Sequence, residues 1–414
     1  MTSNPPITVP IALSYRPGAT LTLPWFVQNT EYNAEQATFQ PLVNGEEAFG
    51  AVYDAIHNAT HTVDIICWGF QPSMYFKRDG RSPCIGDLLI QKGAQGITAR
   101  ILCWNSDLPT GAFTHENNLP GYNLTGDPQS EVAQRLYDQY WHAGCLDVEG
   151  VGLPLTERVL KLAFLDASMR SPYDPAPMEP VGKYAKGYPN VYLKTRGFSM
   201  GDRKKINEWL RNHRADPQFG AAGQVSLVAA PTHHQKTVLV DYAYPDRAVG
   251  FVMGHNMLDE YWDTSDHRWQ PAAAANRGRN GKHPRQDLSS RVTGPILQHI
   301  NANFCQAWDK EAGENLTADR AAAAGALTLR RDGDTPVMAK VCRTQAQEGV
   351  RDIEKAYLKA VNNVTNFIYI ENQYFRWPPL ADLIKQAVQK QIKAGRDPGT
   401  HGPIYLFVVT NAND

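Results

Sequence analysis

No two of the six cysteines (Cys67, Cys84, Cys103, Cys145, Cys305 and Cys342) stand in Cys-x-x-Cys spacing, which argues against both a zinc cluster and a disulfide framework. Cys67 and Cys103 fall inside apolar stretches, where buried free thiols are expected. No apolar run is long enough to span a bilayer. Neither sign of charge is in excess: 41 Lys and Arg stand against 42 Asp and Glu. The net charge of −1 gives the whole molecule no general attraction to nucleic acid. Residues 1–20 are Pro-rich and lack the basic start and apolar core of a signal peptide. The expectation is folding in the cytoplasm, with any export by a route that reads the folded protein.

What is present is an ordinary globular composition, 42% hydrophobic and 20% charged over 414 residues, enough for two domains or one duplicated one. Periodicity exposes a repeat. Residues 46–60 carry helical apolar spacing (Phe49, Val52, Ile56), followed by an extended run 62–68, a helix 86–94 and a strand 98–104. The same order returns as a helix 349–363, a strand 367–371, a helix 380–394 and a strand 404–409. Strands alternating with helices predict an α/β fold with a mixed or parallel sheet flanked by helices.

Chemistry concentrates in Thr232-His-His-Gln-Lys-Thr-Val-Leu-Val-Asp241, a strand-like run, followed by a second apolar run that ends in Gly254-His-Asn256. Alternate side chains of an extended segment share a face, so His234 and Lys236 are predicted to emerge together while Asp241 points away. An imidazole beside a cation, with the Asn256 amide delivered by the next strand, suits phosphoryl transfer. Asp241 is read as structural. His233 and His255 adjoin these residues but point to opposite faces of extended segments, so they are left out of the site.

This His-x-Lys-x4-Asp constellation resembles the phospholipase D superfamily, whose active sites combine two such motifs, one from each half of a duplicated fold. The segments VNGEEAFGAVYDAIHNATHTVDIICWGFQP, DLLIQKGAQGITARILCW, HHQKTVLVD, MGHN, DLSSRVTGPILQHINANFCQAWD and IYIENQYF look like blocks of its large phospholipases. Their spread is most similar to the phospholipase D effectors that bacteria inject through type VI secretion. The resemblance implies an N-terminal extension (1–40), a first lobe (41–312) with an insertion at about 106–222, and the start of a second lobe (313–414). Only one His-x-Lys occurs in the sequence. The second is therefore expected on further polypeptide of the same protein, which would complete the site.

The chemistry implied needs no metal and no cofactor: one histidine attacks phosphorus, another protonates the leaving alcohol, and water releases the phosphohistidine. The resemblance makes His234 the nucleophile; spacing alone does not distinguish it from the acid. Lys236 and Asn256 would hold the non-bridging oxygens, and Asp287 matches the position that orients the imidazole. Glu371, Asn372 and Gln373 occupy the repeat position of Trp68-Gly69-Phe70 and are candidates for lining the cleft. Arg277 and Arg279 open a basic, Gly/Asn-rich loop, expected to be mobile and to form a lip over it.

About 130 residues separate Trp104 from His234, and residues 183–214 within them hold nine Lys or Arg against two acids, interleaved with aromatics. Such a patch suits a lipid headgroup interface. The leading expectation is hydrolysis of membrane phospholipid to phosphatidic acid at a target envelope or host membrane, with a secretion-apparatus tip and an immunity protein as further partners. The alternatives are a nuclease of the same fold, which overall neutrality disfavours, and a non-catalytic binding module.

Overall fold

The computed structural model describes residues 25–105, 118–121, 132–145, 188–212, 228, 231–268, 275–330, 335–375 and 377–411. The bulk of the region expected as an insertion, with Lys183, Lys186 and Arg214, lies outside them. The chain divides into two compact units, one from residues within 35–198 and 232–339, the other from residues within 1–34, 199–231 and 340–414. The sequence reading set the boundary at 312/313 and kept 199–231 with the first lobe.

The first unit is built on one eight-stranded mixed sheet. Its strands are β1 (Ala34–Val43), β2 (Thr62–Cys67), β3 (Thr98–Trp104), β4 (Val191–Arg196), β5 (Thr237–Val240), β6 (Val249–Met253), β7 (Leu288–Thr293) and β8 (Thr335–Lys340). Their order is β4-β3-β2-β5-β6-β7-β1-β8. β2, β3 and β4 run parallel, whereas β2–β5, β5–β6, β6–β7 and β1–β7 are antiparallel. The α/β fold with a large mixed sheet flanked by helices is thus as the sequence predicts. β2 is buried from Val63 to Cys67 without alternation, the pattern of a strand covered on both faces. Helix Asn44–His57 buries Phe49, Val52 and Ile56. Helix Leu297–Ala312 packs Phe304, Cys305 and Trp308 against Ile66 and Leu102. Buried Asp64 on β2 pairs with Arg320 at 2.7 Å.

The second unit contains the short pair β9 (Thr344–Gln345) and β10 (Val350–Arg351), then helix Asp352–Asn362, β11 (Phe367–Glu371), helix Pro378–Lys393 and β12 (Tyr405–Val409). β11 and β12 are parallel, with Phe367 opposite Tyr405, as β2 and β3 are with Thr62 opposite Thr98. The helix–strand–helix–strand order seen in the sequence is therefore present twice. Ile368 and Ile370 pack on the cluster of Val361, Leu380, Ile384 and Ala387. Helix Met200–Asn212, which carries part of the basic-aromatic stretch, belongs to this unit, while β4 belongs to the other.

Asp241 joins β5 to the start of β2. Its carboxylate accepts from Thr60 N and Oγ1, His61 N and Thr62 N at 2.8–2.9 Å. Its φ is +51°, a left-handed conformation that Asp tolerates better than most side chains. Replacing Asp241 with Ala removes all four acceptor contacts and leaves a strained Cβ. The expected cost is about 3 kcal/mol, read as a lower urea midpoint at unchanged slope.

Candidate active site

Residues 231–236 lead directly into β5, and the Lys236 carbonyl already accepts from Met253 N at 2.9 Å. The structure brings His234 and Lys236 together: Lys236 Nζ lies 3.1 Å from His234 Nδ1 and 3.4 Å from Nε2. An ammonium has only donors, so the ring nitrogen facing it must be unprotonated. Partial desolvation first, and the Lys236 charge second, bring the His234 pKa down to about 4. The His234 side chain is nonetheless exposed while Lys236 is buried. Water can therefore still moderate the desolvation, and an attacking group approached from solution requires that access.

Asn256 follows β6, the strand hydrogen-bonded to β5. It is 2% exposed, and its Oδ1 finds no hydrogen-bond partner among the described residues. Gly254 beside it is required by space: a Cβ there would lie 2.0 Å from Asp287 Oδ1 and 2.7 Å from the Leu288 carbonyl. Asp287 is held by Asn44, whose N–H donates to its carbonyl at 2.9 Å and whose Oδ1 accepts its N–H at 3.2 Å. Its carboxylate accepts from Leu288 N at 2.8 Å. The structure records no hydrogen bond between Asp287 and His234. Its charge instead acts on His255, opposing the fall of that imidazole to about 4, which burial drives and Lys236 assists. His255 is fully buried, with Nδ1 2.7 Å from Ser289 Oγ.

The other candidates make contacts of their own. Glu371, Asn372 and Gln373 are exposed in the second unit, where Tyr369 OH donates to Glu371 at 2.8 Å and Gln373 Nε2 to Tyr374 OH at 2.9 Å. The basic loop expected to be mobile is tied down instead. Arg279 is buried with Asp263 at 3.4 Å, Arg78 donates to the Gly278 carbonyl at 2.7 Å, and Asn280 donates to Asp259 at 2.9 Å. Arg277 pairs with Asp79 in a β-bridge and covers Gly80. Ion pairs and backbone caps outweigh the flexibility that its Gly and Asn content implies.

Further aromatic and basic side chains surround the motif. Trp68 meets His234 edge-on at 5.8 Å and stacks on Trp104 at 5.9 Å. His233 stacks on Phe198 at 4.0 Å and contacts Arg196 Nη2 at 2.7 Å. Trp68 and Trp104 were visible as strand-ending aromatics; the Arg196–Phe198 clamp carried no signal because β4 follows a long connection. Among the described residues, no group of three or more His, Cys, Asp or Glu is arranged to hold a metal, and no helix is long and apolar enough to cross a membrane.

No family model matches the chain. It is 25% identical over 396 residues to phospholipase D alpha 1 of Oryza sativa subsp. japonica, covering 81% of this chain and 40% of the relative. With phospholipase D alpha 1 of Arabidopsis thaliana it shares 22% identity over 398 residues, with the same coverage of 81% and 40%. The chain thus spans about 40% of the length of these curated relatives. Among solved structures, phosphatidylserine synthase of Haemophilus influenzae matches with a TM-score of 0.39 at 12% identity, covering 90% of this chain and 61% of that one. Nuc of Salmonella typhimurium, a phospholipase D family member, matches at 0.28 and 9% identity, covering 66% and 96%. The sequence likeness to the plant enzymes supports a place in the phospholipase D superfamily.

Proposed function

We propose that this chain supplies one half-site of a phospholipase D that hydrolyses the distal phosphodiester of membrane phospholipids, leaving phosphatidic acid. The observation that carries the reading is the 3.1 Å contact between Lys236 Nζ and a ring nitrogen of His234. That contact keeps an imidazole unprotonated beside a cation able to take a phosphoryl oxygen. His234 attacks phosphorus, Lys236 neutralises the non-bridging oxygens, and the Asn256 amide offers them a further hydrogen bond. A second histidine must protonate the leaving alcohol, and the sequence holds no second His-x-Lys, so further polypeptide is proposed to bring it. The exposed side chains of Phe367, Tyr369, Tyr405, Phe407 and Val409 support such packing, because parallel strands are normally covered on both faces.

Phosphatidylethanolamine or phosphatidylcholine vesicles incubated with the full-length protein should release free headgroup and phosphatidic acid, with a plasmid-nicking assay run in parallel. Nicking without headgroup release would replace the lipid reading with a nuclease; neither activity would end the enzymatic one. The same reading makes the protein a secreted effector, supported by the likeness of its motif blocks to such effectors. Headgroup release confined to target-cell envelopes after contact with a producing strain tests that role.

A further inference from the structure

β2 and β3 run parallel to a last paired rung, Cys67 opposite Cys103. One residue later each strand presents a tryptophan; the two indoles stack on each other, and Trp68 meets the His234 ring. Past that rung, one side-chain amide joins the two strands. Asn118 Nδ2 donates to the Trp68 carbonyl at 2.9 Å and to the Trp104 carbonyl at 2.6 Å. Its own carbonyl accepts from Phe70 N at 2.9 Å, and Gly69 gives it room, since a Cβ there would lie 2.9 Å from that oxygen. Cys103 Sγ adds a weaker bond to the Trp68 carbonyl at 3.5 Å. Both indoles and Asn118 are buried. The clamp therefore sits at the carboxyl ends of parallel strands, where open α/β sheets place their ligands.

We propose that Asn118 is a positioning residue: by clamping the ends of β2 and β3 it fixes the Trp68–Trp104 pair as a rigid wall that seats the His234 imidazole. Trp68, its ring centroid 5.8 Å from that of His234, limits the imidazole's rotation and covers it on one side, while Lys236 supplies the charge that faces it. A wall that rocks would let the imidazole turn out of line and hydrate. The inference rests on the half-site reading for its meaning in catalysis, but its geometry can be tested without turnover.

The test is a proton NMR titration of the full-length protein, with the His234 signal identified by its loss in His234→Ala. Asn118→Ala should raise the His234 midpoint by roughly one unit or more toward the ordinary histidine value, and Trp68→Phe should move it the same way. An unchanged midpoint in both variants overturns the proposal. If Asn118→Ala does not fold, Trp68→Phe decides alone: a raised midpoint supports the wall and an unmoved one removes it. In an enzyme active as proposed, Asn118→Ala should also lower kcat about tenfold with KM within about twofold. Absent turnover in the unaltered protein would sink the phospholipase reading and leave the titration fully interpretable.

Discussion

His234→Ala is expected to lower kcat by at least about 1000-fold with KM little changed, because the lost group makes its main interaction in the transition state. The Lys236 ammonium lies 3.1 Å from a ring nitrogen of His234, and a pKa near 4 keeps the imidazole neutral at ordinary pH. On the half-site reading, a neutral ring suits a nucleophile better than a proton donor. Rapid quenching with a phospholipid labelled in phosphorus should trap an acid-labile phosphoenzyme in the unaltered protein and none in the variant. Retention of kcat within tenfold by His234→Ala would be fatal to the assignment.

Local sequence pattern carries much of the fold. The repeated helix–strand–helix–strand order predicts elements at 98–104 and 367–371, and these residues form β3 and β11. β3 ends in an unbroken apolar run that is buried throughout, whereas β11 alternates, with Ile368 and Ile370 on its covered face. Alternation along an extended chain equally predicts that His234 and Lys236 meet and that Asp241 turns away. What sequence could not supply was long-range pairing. Asn118 is 50 residues from the carbonyl of Trp68, and Arg196 is 37 residues from His233; no periodicity encodes such contacts. The loop at Arg277–Arg285 shows the opposite failure. Its Gly and Asn content predicts freedom, but composition is silent on Asp259 and Asp263, which hold Asn280, Arg279 and the Arg285 N–H.

Lys236→Met should lower kcat roughly 100-fold to 1000-fold, the loss typical of removing one group that faces developing charge. The variant keeps the length and apolar body of a buried side chain. Its more diagnostic effect is on pH. Desolvation is the larger cause of the low His234 pKa and the Lys236 charge the smaller, so the variant's value should rise from about 4 but stop short of 6.5. The acid limb of kcat/KM should shift upward with it. His255, held near 4 by burial with help from the same ammonium, should rise in parallel. The stability consequence has a definite sign. Both imidazoles have folded values below their unfolded ones, so the unfolded chain binds more protons as pH falls from about 6.5 toward 4, and stability is lost over that window. Raising the folded values narrows the gap, so Lys236→Met should lose less stability than the unaltered protein between neutral pH and pH 4. A variant whose acid limb and acid sensitivity both stay where they were would show that the ammonium does not act on His234, and with it the electrostatic basis of the half-site would fall.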